Sequence, residues 1–360
     1  MIVDVTTRTL NQTRATEFEL VHEGTMGFVT HPLSPPPRLR GDEILVRPRW
    51  VGICGSDLYL IAVHEGPLRL GHEWIGVVDA VGPSVVTLRP GDAVTSTGTV
   101  ACFECGPCHH EKTNFCDSAT YFSSDKMGAL RSWFVLGEKQ LIKVDGTLTK
   151  DQALHELISV AEAAVDLIDS NRPNEDDEDL LVLGAGPVGV LLAQVAKDRG
   201  YRPVIVDKIE FRLELARKAG LETVPFARAL IDPALRNRFK LIADATHDYS
   251  KDSGAFRFVT AFAKKEFSLL MVGKYKGAQE IPPAFNSLGG KITWMRGVPH
   301  ATLARSVTKW GPRLSELSTD FITHCFDHAN AGTAFDVATE KLKSMKVLIE
   351  IPEMVHVRNR

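Results

Sequence analysis

No stretch of this 360-residue sequence holds the roughly 18 uninterrupted apolar residues of a bilayer-spanning helix. The longest candidate, Leu180 to Ala196, is broken by three Gly and one Pro, so a membrane protein is not expected. An excess of one charge sign is lacking too. Against 42 Lys and Arg stand 45 Asp and Glu, a net charge of −3, so no basic surface is signalled for nucleic acid or an anionic membrane. Met1 to Gln12 has neither the basic flank nor the apolar block of a secretory signal; export is not expected, and the cytoplasm is the expected compartment. There is no internal repeat and no low-complexity tract. Cysteine is scarce, six in all and none between 117 and 324. In a reducing compartment such residues read as metal ligands or buried thiols rather than disulfides. What remains is an ordinary globular composition, 44% hydrophobic and 24% charged, long enough for about two domains of roughly 150 residues.

The two halves read differently. Residues 1–150 carry short β-type runs, Glu43–Arg47, Val77–Val81 and Ala93–Ser96, punctuated by Gly-Asp, Pro-Gly and Gly-Pro, which predicts an antiparallel, barrel-like domain. A helical pattern follows from Lys150 to Ser170. The acidic segment Pro173–Asp179 then reads as a solvated loop between domains. From Leu180 onward apolar strands alternate with helices: Leu180–Leu183, Val204–Val206, Leu241–Ala243 and Leu269–Val272, with one helix near Phe256–Ala263. That alternation predicts an α/β domain with a doubly wound parallel sheet. An amphipathic helix from Ala331 to Ser344 and a strand, Val347–Ile351, are expected near the end.

Gly184-Ala-Gly186-Pro187-Val188-Gly189 stands between a strand and a helix, and Asp207 ends the next strand. This is the full context of a Rossmann dinucleotide fingerprint. The first Gly makes the tight turn, the second admits the pyrophosphate, the third lets helix pack on strand, and the helix N-terminus supplies partial positive charge. Asp207 is suited to accept from the ribose hydroxyls and to repel a 2′-phosphate, which favours NAD over NADP. Lys208 and Arg212 pull the other way, since two cations there suit a phosphate.

Cys102, Cys105, Cys108 and Cys116 fall within 15 residues around Gly106-Pro107. Four thiolates so spaced wrap one tetrahedral zinc in a closed, structural site. An iron–sulfur cluster also takes four Cys, but the spacing and a second metal motif argue against it. That second motif combines Cys54-Gly-Ser56-Asp57 with Gly71-His72-Glu73. One Cys, one His and one carboxylate are three ligands, and a catalytic zinc keeps its fourth position open.

GICGSD at 52–57, GHEWIGVVDAVG at 71–82, the four spaced cysteines and LVLGAGPVG at 181–189 follow one another in the order of the zinc-dependent medium-chain dehydrogenase/reductase superfamily. The sequence resembles in particular its polyol, sugar, cyclitol and threonine dehydrogenases. The resemblance implies a GroES-like β-barrel catalytic domain over 1–165, to which 300–360 returns, and a Rossmann cofactor domain over 166–299. It implies two zinc ions, a structural one and a catalytic one on Cys54 and His72, with Glu73 bound to the metal or just outside. Glu156 is the further acidic position, in a segment where Leu157 replaces the usual Pro, and Glu162 is an alternative to it. Asp57 resembles the carboxylate that orients the ligand His. Ser56 matches the hydroxyl that relays the alcohol proton, and Tyr59 stands where many relatives carry His. Arg212 matches a basic residue at the adenosine ribose. Only 17 residues separate Cys54 from His72, fewer than the family leads one to expect. The implied activity is NAD(P)-linked oxidation of a small polar secondary alcohol, the implied assembly a homodimer or homotetramer. The alternatives are a non-catalytic protein retaining the fold, and a zinc-independent enone or quinone reductase.

Overall fold

The computed structural model describes residues 17–246, 258–273, 281–318 and 320–353. Six strands form one parallel sheet in the order Glu222–Pro225, Arg202–Asp207, Asp179–Leu183, Phe239–Asp244, Ala263–Met271, Lys291–Trp294. The first of these in sequence, Asp179–Leu183, is central, and the strand order reverses beside it. A crevice therefore opens between the carboxyl ends at Gly184 and Ala245, where open α/β sheets bind their ligands. Leu180, Val182 and Ile205 feed an apolar cluster on one face; Leu181, Leu183, Val204 and Val206 feed another on the opposite face. Strands buried on both faces explain why these segments read as continuous apolar runs.

The helix His155–Ser170 packs on the first face through Leu157, Ile158, Ala161, Ala164, Val165 and Ile168, the i, i+3/i+4 stripe of an amphipathic helix. A 3-10 turn, Lys150–Leu154, precedes it, so the predicted helical segment is a turn followed by a helix. The helix near Phe256–Ala263 is a single turn, Val259–Phe262; Phe256 lies outside the described residues.

The other sheet runs Ile322–Asp327, Lys346–Glu350, Glu43–Gly52, Glu73–Val81, Ala93–Thr95, Ile142–Val144, with Phe134–Gly137 also on Glu43–Gly52. It is mixed rather than purely antiparallel, because Ile322–Asp327 and Lys346–Glu350 run parallel. Two strands are longer than their patterns: Glu43–Gly52 continues through Pro48 with a register shift, and Glu73–Val81 begins four residues early. That extension pairs Gly52 with Glu73 and so brings the two metal-type motifs side by side.

Two expectations need correction. The helix from Ala331 stops at Thr339 rather than Ser344, since 340–345 turns toward the crevice, where the Ser344 carbonyl accepts from Arg212. The acidic segment before Leu180 is ion-paired rather than simply solvated: Asp179 meets Arg202 and Arg238, and Asp177 meets Lys240.

Candidate active site

Cys54 caps the helix Gly55–Val63, and the cap is reciprocal. Its Sγ faces the Ser56 amide at 3.5 Å, while Asp57 Oδ2 accepts the Cys54 N–H at 2.9 Å. Gly71, at φ +94°, turns the chain so that His72 and Glu73 face this helix end; a Cβ there would stand 2.6 Å from Val51. The ligand atoms of Cys54, His72 and Glu73 all lie within 4.8 Å of one another. Glu156 is outside that triplet.

Behind His72 is a buried relay. Ser123 Oγ donates to Asp57 Oδ1 at 2.6 Å, and His72 Nδ1 lies 2.9 Å from Ser123 Oγ and 3.2 Å from Asp57 Oδ1. With Nδ1 so engaged, Nε2 is left facing Cys54, 3.4 Å from Ser56 Oγ. Burial opposes a charged imidazole, but Asp57 and Cys54 outweigh it and hold the His72 pKa well above its ordinary value. Burial likewise raises Asp57, yet His72, Ser123 and the Cys54 amide bring it below the usual carboxylate range. For Glu156 burial wins: with Glu73 adding to it, the carboxyl is pushed up to about 7.

Glu73 is fully buried. Its Oε2 is ion-paired with the ammonium of Lys346, which donates its hydrogen bond to the Ile53 carbonyl at 3.0 Å. Burial depresses the Lys346 pKa, but Glu73 and Cys54 more than offset this and raise it. Gly52 makes the pair possible, since a Cβ there would lie 2.5 Å from Glu73 Oε2. Glu73 Oε1 is buried with no hydrogen-bond partner among the described residues. An orphaned buried carboxylate oxygen beside a thiol and an oriented imidazole is a donor set that fits a divalent cation.

The second cysteine group also fits zinc. Cys102, Cys105, Cys108 and Cys116 present four sulfurs within 4.8 Å, with Cys116 Sγ 3.5 Å from Cys102 Sγ and 3.8 Å from Cys105 Sγ. Zn–S bonds of about 2.3 Å on a tetrahedron imply S···S edges of about 3.8 Å. A zinc held by all four would have no ligand position left for water.

In the Gly-rich turn, Gly184 has φ +100°, and a Cβ on Gly189 would stand 1.9 Å from the Gly184 carbonyl, so that position admits only glycine. Gly186 caps the helix Pro187–Asp198, and Pro187 takes the first helical position, where no N–H is needed. Asp207 ends its strand with Oδ2 accepting the Ala185 amide at 2.6 Å and Oδ1 the Ile209 amide at 2.8 Å. Lys208 lies over the Phe226 ring. Arg212 reaches the Ser344 carbonyl at 3.4 Å and lies beside Gly186, next to the turn. A cleft of about 310 Å³ is lined at one end by Cys54, Leu58 and Glu73, and at the other by Gly184, Val188 and Asp207.

Residues 40–146 match the alcohol dehydrogenase GroES-like domain. L-threonine 3-dehydrogenase from Shigella dysenteriae serotype 1 is 30% identical over 204 residues, 52% of this chain and 56% of that protein. The chain carries the GroES-like domain of alcohol dehydrogenases over residues 40–146 and is similar to dehydrogenases beyond it. It spans about half the length of the curated relatives it matches. Among solved structures, galactitol-1-phosphate dehydrogenase from Escherichia coli superposes with a TM-score of 0.79 at 21% identity, covering 92% of this chain and 99% of that one. An alcohol dehydrogenase from Thermus sp. ATN1 gives 0.79 at 22%, covering 93% and 100%.

Within this fold Glu162 has no place at the metal triplet. It accepts from Trp310 Nε1 at 2.5 Å and pairs with Arg199 and Lys309. Tyr59 lies one turn beyond Ser56 on the same helix. Two neighbours of the site escaped the sequence reading. Ser123 sits alone in a loop at φ +59°, with no motif around it. Lys346 carries a signal that was legible: a lysine directly ahead of the apolar run Val347-Leu348-Ile349.

Proposed function

We propose that this protein is a zinc-dependent, NAD-linked dehydrogenase that oxidises a hydrophilic secondary alcohol, a polyol, sugar or cyclitol, to the carbonyl by hydride transfer. One observation carries the reading: Cys54 and Glu73 of the metal triplet line the same cleft as the dinucleotide turn, so alcohol carbon and nicotinamide can meet there. Cys54, His72 and Glu73 would hold the ion, with Glu156 as the further carboxylate beside them. A bound Zn²⁺ supplies Lewis acidity toward the alcohol oxygen.

The remaining work falls to the chain. Asp57 and Ser123 orient His72. Ser56 Oγ, at the open face of the imidazole, takes up the alcohol proton and passes it outward. Asp207, presented by two backbone amides, accepts from the adenosine ribose and disfavours a 2′-phosphate. Arg212, beside Gly186 and within electrostatic reach of Asp207, would contact the adenosine ribose.

The Cys54, His72 and Glu73 set is what a zinc-independent enone or quinone reductase lacks, and retention of both metal sets speaks against a non-catalytic protein. The test is a panel of polyols, aldoses, cyclitols, threonine and simple alcohols, each with NAD and NADP, followed by absorbance, with zinc measured on the same sample. Two zinc ions per chain and NAD reduction by a polar secondary alcohol are expected. One zinc per chain with no turnover of any panel member returns the non-catalytic reading.

A further inference from the structure

The chain leaves the parallel sheet at Trp294 and re-enters the other domain at the helix His300–Trp310, so residues 295–299 are a crossing between domains. The four-cysteine lobe grips this crossing at both ends. Asn114 Nδ2 donates to the Arg296 carbonyl at 2.7 Å, and the His300 amide donates to Thr113 Oγ1 at 2.7 Å. Both side chains are buried and stand on the turn Thr113–Phe115, between the third and fourth cysteines. Rings add to the grip: Phe103 meets the His300 ring edge to face at 5.1 Å, and the Arg296 guanidinium lies 5.5 Å over Phe115. Phe103 adopts φ +60° between Cys102 and Cys105, a conformation unusual for a residue with a side chain. Gly297, at φ +53°, fits against Asn114; a Cβ there would be 3.5 Å from the Asn114 Cβ.

The crossing in turn is wired to the dinucleotide crevice. The Met295 amide donates to the Met271 carbonyl at 3.0 Å, and the Val272 and Gly273 amides donate to the Asp244 carbonyl at 2.9 and 3.0 Å. A Cβ on Gly273 would lie 1.8 Å from the Thr246 carbonyl, and Ala245 and Thr246 line the cleft against Gly184. A shift of 295–299 is thereby passed through close backbone packing to the wall on which the cofactor rests.

We propose that Thr113, Asn114 and Phe103 are positioning residues: the cysteine lobe latches the second interdomain crossing and so sets the affinity for the dinucleotide. The coupling rests on the dehydrogenase reading above, because it concerns that cofactor. The experiment uses the full-length, zinc-loaded protein with Thr113→Val, Asn114→Ala and, as the variant that keeps the hydroxyl acceptor, Thr113→Ser. Hydrogen exchange over 295–300 and the NADH and NADPH dissociation constants are measured without substrate, and zinc content is measured on each sample. Loss of one such hydrogen bond is expected to speed exchange in 295–300 and to weaken dinucleotide binding about 2- to 10-fold, with both returned toward wild type in Thr113→Ser. Faster exchange with an unchanged dissociation constant, or no change in either, overturns the inference while leaving the dehydrogenase reading intact. A wild-type protein that binds neither NADH nor NADPH overturns both.

Discussion

Replacing Lys346 by Met isolates the charge that neutralises Glu73. Both side chains are at most 2% exposed, so the substitution strands a carboxylate in the interior. Breaking a buried pair from one side costs about 3–5 kcal/mol, and the Ile53 carbonyl loses a donor worth about 1 kcal/mol more. Metal-free Lys346→Met should therefore lose roughly 4–6 kcal/mol out of the roughly 5–15 kcal/mol that holds a typical protein folded. Zinc on Cys54 and His72 puts a dication beside the same carboxylate, so the loss should be smaller in the zinc-loaded protein. Adding Glu73→Gln removes the stranded charge and should recover most of the loss. The assay is urea unfolding followed by fluorescence and circular dichroism, with and without zinc, on wild type, single and double variants. A metal-free Lys346→Met within about 1 kcal/mol of wild type, or a double variant no more stable than the single, refutes the reasoning.

Brief chelation should remove one zinc and all turnover while leaving the fold, because the Cys54 site opens into the cleft and the four-cysteine site is closed; equal loss of both ions in metal analysis contradicts this. Asp207→Ala should weaken NAD binding more than tenfold and narrow its advantage over NADP, since two charge-assisted hydrogen bonds are lost at about 1.5–3 kcal/mol each; titration calorimetry decides. Ser56→Ala should cut turnover by about 10²–10⁴ with zinc and NAD binding intact, whereas Tyr59→Phe should matter much less; steady-state rates showing the reverse order move the relay to Tyr59. Glu162→Gln tests the ion cluster on the helix His155–Ser170. Burial raises that carboxyl, but Trp310 and Arg199 bring it below its ordinary value. A depressed folded pKa contributes stability above the unfolded value of about 4.3, and the contribution is lost as pH falls through the folded pKa. The variant should be about 1–3 kcal/mol less stable at pH 7, with the gap closing below about pH 4; a gap constant from pH 7 to 3 speaks against the pairing.

What the sequence made legible was whatever local spacing encodes. The Gly184–Gly189 turn and the acid ending the next strand are read from a strand, a turn and a helix in succession. The cysteine lobe is read from four thiols in 15 residues. Illegible was whatever depends on register. That Cys54, His72 and Glu73 meet was read from their two motifs, but the register that brings them together, Glu73 opposite Gly52, follows from a shift in pairing near Pro48 that no hydrophobic pattern announces. Ser123 reaches Asp57 across 66 residues, and Lys346 reaches Ile53 across 293, distances at which periodicity says nothing. Glu162 shows the converse. It lies close to Glu156 in sequence, but six helical positions turn it to another face, toward Arg199 and Trp310.

The strand Lys346–Glu350 sits between Ile322–Asp327 and Glu43–Gly52, inside the sheet that carries the metal triplet. During synthesis, Glu73 emerges 273 residues before Lys346. At ribosomal rates of about 5–20 residues per second that interval is ~15–55 s. Through it, the strand Glu43–Gly52 lacks its neighbour Lys346–Glu350 and Glu73 has no ammonium to meet, and by its last part every strand of the parallel sheet has been made. The nascent chain thus carries the strands of the parallel sheet while Trp310, Leu314, Phe321 and Met345, which complete the core on one of its faces, and the lysine that meets Glu73 are still to come.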